Sequence, residues 1–477
     1  MGFVKDLPIY QEVADRMERM VGAGIFTPGS RLPSVRELSR TLSVSITTAL
    51  GAYRVLEQKR LIVPRERSGY YVRSLPRGRP EPLITATAPR AQHFDFVRHV
   101  LREYEPQPGG DFVSLDTAIS DPHFLPTDRF NQLLIRALRE RPLESQSYDS
   151  TAGLPELRTQ LARRMFDAGC DVSPADIITT AGATQAVYLC LAALTRPDDT
   201  VVVETPTFFG FLAILDALRL QVLEVATCPR DGICLEALDD VLRSQRVAAC
   251  LLVPNFGNPS GHCMPSAKKE QLVHLLAEHG VPLVEDDIYG ELSFTGERPG
   301  SAKAFDRTGN VLYCSSFSKT MAPGYRIGWT VPGRFAERIQ RLKFSMCVAS
   351  PTCTQMAMAA FLETGAFDRH VRRARQAYGD MVARMSRVVS ETFPETTRVT
   401  RPTGGHLLWV ELPAGIDAFV LRERAWKAGV GIAPGPAFSP TGRYTNFIRL
   451  NCAVPWSAML ESALRTLARL VHGYADG

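Results

Sequence analysis

The stretch Ser316-Phe317-Ser318-Lys319, followed by Pro323-Gly324 and Arg326, puts one amine beside two hydroxyls and a guanidinium. An aldehyde-bearing phosphate ester needs this set: an amine for a Schiff base, and donors with positive charge for the phosphate. Most lysines in a Ser-x-Lys sequence are simply solvated, so the motif gains weight only from company. Asn258, in Asn258-Pro259-Ser260-Gly261, offers an amide donor in a tight turn. Asp286 and Tyr289 follow the run Leu283–Glu285. A carboxylate against a pyridine nitrogen keeps the ring protonated and electron-withdrawing, and a phenol and an amide near a ring hydroxyl tune an imine. Ala183 and Thr184 open a helix whose free N–H groups and dipole suit a phosphate, and Phe208 is placed to stack on a planar ring. Each piece has an ordinary alternative as turn, core or surface residue. Chance poorly explains all of them in this order.

The elements that must carry these groups are β-prone runs alternating with helical stretches: Ile177–Thr180, Val201–Glu204, Val222–Ala226, Ala249–Val253, Leu283–Glu285 and Val311–Ser315. Such alternation predicts a mainly parallel sheet with helices on both faces, and ligands gather beyond the carboxyl ends of its strands. Each candidate residue named above lies just past such a run.

With 477 residues, 45% hydrophobic and 22% charged, the chain has the material for two or three packed units. Wholesale disorder, collagen and coiled coil are excluded. No apolar run has the length of a membrane span and the first ten residues lack a signal peptide's apolar core, so a cytoplasmic protein without membrane association is expected. Ten cysteines from Cys170 to Cys452 form no C-x-x-C pair and no matched His spacing, which predicts neither a disulfide framework nor a metal site. Net charge is +5, yet residues 1–80 hold 14 Lys/Arg against 7 Asp/Glu. A basic head before a near-neutral body suggests that the head meets a polyanion.

The head's pattern sharpens this. Ile9, Val13, Met17 and Met20 recur at helical spacing after Pro8, and Ser34-Val35-Arg36-Glu37 spells a capping box opening a second helix to about Leu42. Ser45 caps a third helix, predicted to about Arg60 with Leu50, Tyr53 and Leu56 inward. Leu61–Val63 and Tyr70–Val72 then form a hairpin wing. Such a unit lays its third helix in the major groove of double-stranded DNA: Ser45, Thr47 and Thr48 are the candidate groove residues, and Arg36, Arg65 and Arg67 the candidate phosphate contacts. Pro76, Pro80, Pro82 and Pro89 predict an extended linker, and Phe94, Val97, Leu101 and Tyr104 a connecting helix. The expected division is a winged helix-turn-helix domain over 1–75, a linker over 76–110 and a body over 111–477 with a small subdomain from about 350.

Leu32-Pro33-Ser34-Val35-Arg36-Glu37-Leu38 with Ser68-Gly69-Tyr70-Tyr71-Val72 resembles the winged helix of GntR-type regulators, departing at Ile46 where many relatives carry arginine. Residues from about 111 to 470 resemble fold-type-I aminotransferases, a pyridoxal 5'-phosphate (PLP) family. This implies an α/β body with a mainly parallel seven-stranded sheet and a smaller C-terminal α/β subdomain. It also implies that Lys319 carries the internal aldimine and Asp286 faces the pyridine nitrogen. Asn258 and Tyr289 would then contact the ring hydroxyl, while Ser316, Ser318, Arg326 and the Ala183-Thr184 backbone hold the phosphate. Phe208 stands where relatives often have Tyr or Trp. Tyr148, in Ser147-Tyr148-Asp149, matches a tyrosine that reaches the neighbouring subunit's phosphate, which implies a homodimer; Arg449, in Phe447-Ile448-Arg449-Leu450, matches the arginine that pairs with an amino acid's carboxylate.

Head and body together resemble the MocR-type regulators of the GntR family. That implies a transcription regulator which binds operator DNA and senses an amino acid, an amine or PLP itself through Lys319. The rival reading is a PLP-dependent aminotransferase with an accessory N-terminal domain, and nothing in the residues excludes residual transamination. Asp287, beside Asp286, competes for the place at the ring; Asp286 is preferred on the family's three-residue spacing to the tyrosine.

Overall fold

The computed structural model describes residues 8–22, 25–27, 29–59, 61–65, 68–72, 79–83, 89–93 and 112–475. Arg67, residues 73–75 of the expected winged helix-turn-helix domain, and residues 76–78, 84–88 and 94–110 of the expected linker, with its connecting helix around Phe94–Tyr104, lie outside them. The chain divides into two compact units, the second beginning at Arg79.

In the first unit, helices Ile9–Gly22, Val35–Thr41 and Ile46–Gln58 precede a hairpin of Ile62–Arg65 and Gly69–Val72. The capping box closes as its residue types require. Glu37 N donates to Ser34 Oγ at 3.2 Å, and Ser34 N donates to the Glu37 carboxylate at 2.7 Å. Val13, Ala14, Met17, Leu38, Tyr53 and Leu56 share one small core. Two expectations for it fail. Ile9 is 62% exposed, because Tyr10 and not Ile9 lies against Gly51 of the third helix. Leu50 is only half-buried, and the fully buried Ala49 and Ala52 take the inward positions on that helix.

In the second unit, eight strands form the main sheet. Its order is Ile178–Thr180, Gly328–Val331, Val311–Ser316, Leu283–Asp286, Ala249–Leu252, Thr200–Thr205, Gln221–Cys228 and the two-residue Gly232–Ile233. Neighbours from Val311–Ser316 to Gln221–Cys228 run parallel, and Gly328–Val331 is antiparallel to both its neighbours. These central strands are buried on both faces, so they read as continuous apolar runs. One core face is built on Val187, Leu191, Val203 and Leu251, the other on Val202, Leu223, Leu252 and Leu283.

Helix Thr352–Glu363 is apolar on most sides, and its Met356, Met358 and Phe361 pack with Phe130, Leu157 and Trp329 of the large core. A four-stranded antiparallel sheet of Arg398–Val399, Leu407–Glu411, Phe447–Asn451 and Ala433–Pro434 forms the subdomain proper. The body's first described strand, Val113–Ser114, pairs with Val430–Gly431 beside it.

Described parts of the expected linker are pinned to the body. The Arg79 guanidinium donates to the carbonyls of Ser390, Phe393 and Glu395 at the C-terminal end of helix Ala366–Thr392 and just beyond it, and Val399 N donates to Pro80 O. Unsatisfied carbonyls at a helix end are natural partners for a guanidinium. None of the helices among the described residues is long and apolar enough to cross a membrane.

Candidate functional site

The carboxyl ends of the parallel strands deliver side chains into one cavity of about 200 Å³. Its walls include Ala183, Thr184, Phe208, Asn258, Asp286, Tyr289, Ser316, Ser318, Lys319 and Arg326, all anticipated from the sequence. A second space of about 60 Å³ shares Phe208 and Lys319 with it and reaches Arg449. Tyr148 lies apart from both, on the surface and 82% exposed.

Lys319 Nζ donates to Ala118 O at 2.6 Å. Burial, and secondarily the positive charge of Arg449, lowers its pKa to about 8, so roughly a tenth of it is neutral near pH 7 and able to attack an aldehyde. The Asp286 carboxyl is pushed up to about 7, mainly by burial, although Ile288 N donates to it at 3.0 Å. A carboxylate held at such cost is ready to accept a ring N–H⁺. Burial also pushes the Tyr289 phenol up, and its buried hydroxyl has no hydrogen-bond partner among the described groups. That orphan donor calls for a ligand atom.

Asp287 is committed elsewhere. Its carboxylate accepts from Asn255 Nδ2 (2.9 Å), Arg298 Nη2 (2.8 Å) and Tyr313 Oη (2.9 Å), all away from the cavity. Strand alternation produces the difference: Glu285 and Asp287 share one side, where Glu285 accepts from Ala302 N and Lys303 N, and Asp286 faces the other.

At the phosphate end, Gly182 caps helix Ala183–Leu194 at φ +92°. A Cβ there would meet Arg326 Nη2 at 2.5 Å. Arg326 donates through Nη2 to Ala181 O at 2.6 Å, and Ser318 N donates to Ser316 Oγ at 3.3 Å. The helix N-terminus, guanidinium and hydroxyls thus converge as a phosphate cradle would. We expect Gly182→Ala to strain the backbone and displace the guanidinium, weakening PLP retention about tenfold; equilibrium dialysis of cofactor checks it. Gly210 likewise leaves room for the Phe208 ring, which a Cβ would approach to 2.4 Å.

Arg449 is fully buried. Its Nη1 donates to Asn258 Oδ1 at 3.2 Å and its Nη2 to the carbonyl of Asp116, with the Phe438 ring centroid 5.0 Å away. Sequence reasoning missed the 116–119 segment, Phe209, Phe438 and His406. His406 packs edge-on to Tyr289, and burial drops its pKa to about 3. The glycine pair Gly404-Gly405 ahead of a strand was a usable signal for His406; the 116–119 segment carries none.

In the head, Ser45, Thr47 and Thr48 occupy the N-terminal turn of helix Ile46–Gln58, with Ser45 and Thr47 exposed. Ser45 Oγ also accepts from Thr48 N at 3.0 Å, so it both caps the helix and faces outward. Arg36 and Arg65 are exposed, the latter with its guanidinium 4.3 Å from the Tyr71 ring centroid.

Comparison with known proteins agrees with both units. Residues 121–467 match the family described as aminotransferase class I and II, and residues 9–72 match bacterial regulatory proteins of the gntR family. The HTH-type transcriptional regulator YjiR of Escherichia coli is 36% identical over 97% of this chain and 98% of its own. Aromatic-amino-acid aminotransferase 1 of Thermococcus litoralis is 30% identical over 79% of this chain and 91% of its own. Among solved structures, the α-aminoadipate aminotransferase LysN of Thermus thermophilus, complexed with N-(5'-phosphopyridoxyl)-L-leucine, superposes with a TM-score of 0.73 at 28% identity, covering 77% of this chain and 93% of that one. With a gntR head, an aminotransferase body fitted to PLP and near full-length likeness to such regulators, the chain belongs to the MocR-type regulators of the GntR family.

Proposed function

We propose that the protein is a PLP-dependent transcription regulator whose body senses an amino acid, an amine or PLP itself and alters the head's hold on operator DNA. One observation carries the reading. The likeness to HTH-type regulators runs through head and body alike, whereas the aminotransferase match stops short at 79% of this chain.

In this reading Lys319 offers the amine for attachment, Asp286 accepts the ring N–H, and Asn258 and Tyr289 hold the ring hydroxyl. Phe208 covers the ring face, and Ser316, Ser318, Arg326 and the Ala183-Thr184 amides take the phosphate. When bound, PLP supplies an aldehyde that condenses with amines and a ring that withdraws electrons. Arg449 takes the carboxylate of the sensed molecule. Tyr148, exposed on its loop, serves the phosphate of the partner subunit in a homodimer. Ser45, Thr47 and Thr48 enter the major groove while Arg36, Arg65 and Arg67 neutralise phosphates.

A gel shift on the protein's own promoter fragment, with and without PLP and amino acids, tests the proposal. We expect DNA binding that weakens steeply with salt and responds to one of these molecules without keto-acid release. Rapid keto-acid formation with no DNA bound at low salt would instead make this an aminotransferase with an accessory head. The complete lysine site, with its amine held near pKa 8, keeps that alternative chemically open.

A further inference from the structure

The smaller space beside Lys319 restricts what the sensed molecule is, an inference that rests on the functional reading above. Its volume of about 60 Å³ holds about four to six water-sized groups. With the amine and α-carbon placed in the adjoining larger cavity, which shares Phe208 and Lys319 with this space, a carboxylate on Arg449 takes three of them and leaves room for one to three side-chain atoms. The uncharged walls of this space are Thr117, Ala118, Ile119, Phe208 and Phe209, and Phe209 is backed by a buried aromatic cluster that includes Trp409, Phe438 and Phe447.

Charge points the same way. The charged residues lining this space are Asp116, Lys319 and Arg449. Lys319 belongs to the cofactor's end, and Arg449 is held against Asn258 and the Asp116 carbonyl in the place suited to the ligand's own carboxylate. The Asp116 carboxylate turns onto its own loop, where Oδ1 accepts from Ser114 Oγ at 2.6 Å and Thr117 N at 3.1 Å. Among the described residues, a second ligand carboxylate would therefore meet no cation beyond Lys319 and Arg449, and a side-chain ammonium would meet only a carboxylate already engaged. Burying either charge among phenylalanines is far costlier than burying a methyl group.

We propose that the sensed molecule is an α-amino acid with a compact, uncharged side chain, of alanine, serine or valine size. Dicarboxylic, dibasic and large aromatic amino acids are disfavoured by the same walls.

The test is a titration of the full-length, cofactor-loaded protein, read by the cofactor's visible absorption, with glycine, alanine, serine, valine, leucine, phenylalanine, glutamate and lysine. Alanine, serine and valine should act at concentrations about tenfold below phenylalanine and about a hundredfold below glutamate or lysine. Ile119 is 44% exposed, so Ile119→Ala should fold normally, and by widening the space it should lower leucine's requirement relative to alanine's about threefold or more. Glutamate or lysine acting at or below alanine's concentration, phenylalanine matching alanine, or an unmoved leucine-to-alanine ratio in the variant would overturn the assignment. A protein that shows no cofactor absorption and yields no borohydride-fixed adduct would strike the functional reading itself, a result plainly distinct from a wrong order of amino acids.

Discussion

Asp287→Ala is expected to lower the stability of the body by about 3–5 kcal/mol, whereas Asp286→Ala, one residue away, leaves it unchanged or raised at pH 7. Asp287 is buried and receives three hydrogen bonds, one of them from the Arg298 guanidinium; removing it takes from that buried cation one of its two carboxylate partners, the other being Glu291 at 3.6 Å, and leaves the Tyr313 hydroxyl without its acceptor. Asp286 is buried against the cavity with one backbone N–H, and its carboxyl is raised to about 7. The folded chain therefore keeps a proton between about pH 4 and pH 7 that the unfolded chain releases. Stability contributed by this group is present below pH 4 and lost as pH rises through 7, up to about 4 kcal/mol, and Asp286→Ala removes that loss. Urea denaturation of the cofactor-free proteins at pH 5 and pH 7 measures both effects. Destabilisation by Asp286→Ala with none by Asp287→Ala would mean that the pair has been assigned the wrong way round, and equal losses would remove the distinction between them.

Lys319→Ala is expected to abolish borohydride-fixable attachment of PLP and to weaken PLP retention by at least about a hundredfold, with no loss of fold stability. The sign of the stability term follows from burial. The folded amine is held near 8 while the unfolded one titrates at 10.5, so below pH 8 the folded chain must hold a disfavoured charge, and alanine relieves it. Lys343 is the competing attachment site to watch, since burial also lowers it to about 8, but its Nζ donates to Thr151 O and it lines neither cavity. A fixed adduct surviving in Lys319→Ala would move the chemistry there, and peptide mapping would locate it. If PLP itself is the signal, DNA binding by this variant becomes indifferent to the vitamin.

The cavity residues were legible in the sequence because a parallel sheet places its chemistry just past each strand, where apolar runs give way to polar residues. Asn258, Asp286, Tyr289 and Lys319 all announce themselves in that way. The network behind them did not. Asn255, Arg298 and Tyr313 meet Asp287 from three separate segments, and nothing in the spacing of those residues predicts the meeting. Gly328–Val331 also escaped notice: four residues after the phosphate motif, with no hairpin signal, insert antiparallel between two strands far apart in sequence. In the head, local patterns sufficed for the capping box and the wing. They misjudged Ile9 and Leu50, whose burial depends on how closely the helices approach and not on periodicity alone.

Alternation along the strand that ends at Asp286 gives the loop after it a strict arithmetic of length. Glu285 and Asp287 belong to the structural side and Asp286 to the cavity. Inserting or deleting one residue upstream in that strand would exchange the two sides wholesale, presenting a scaffold acid to the ligand and turning the working one away from it. Divergence at this place in the chain is therefore free to change side chains but not to change parity.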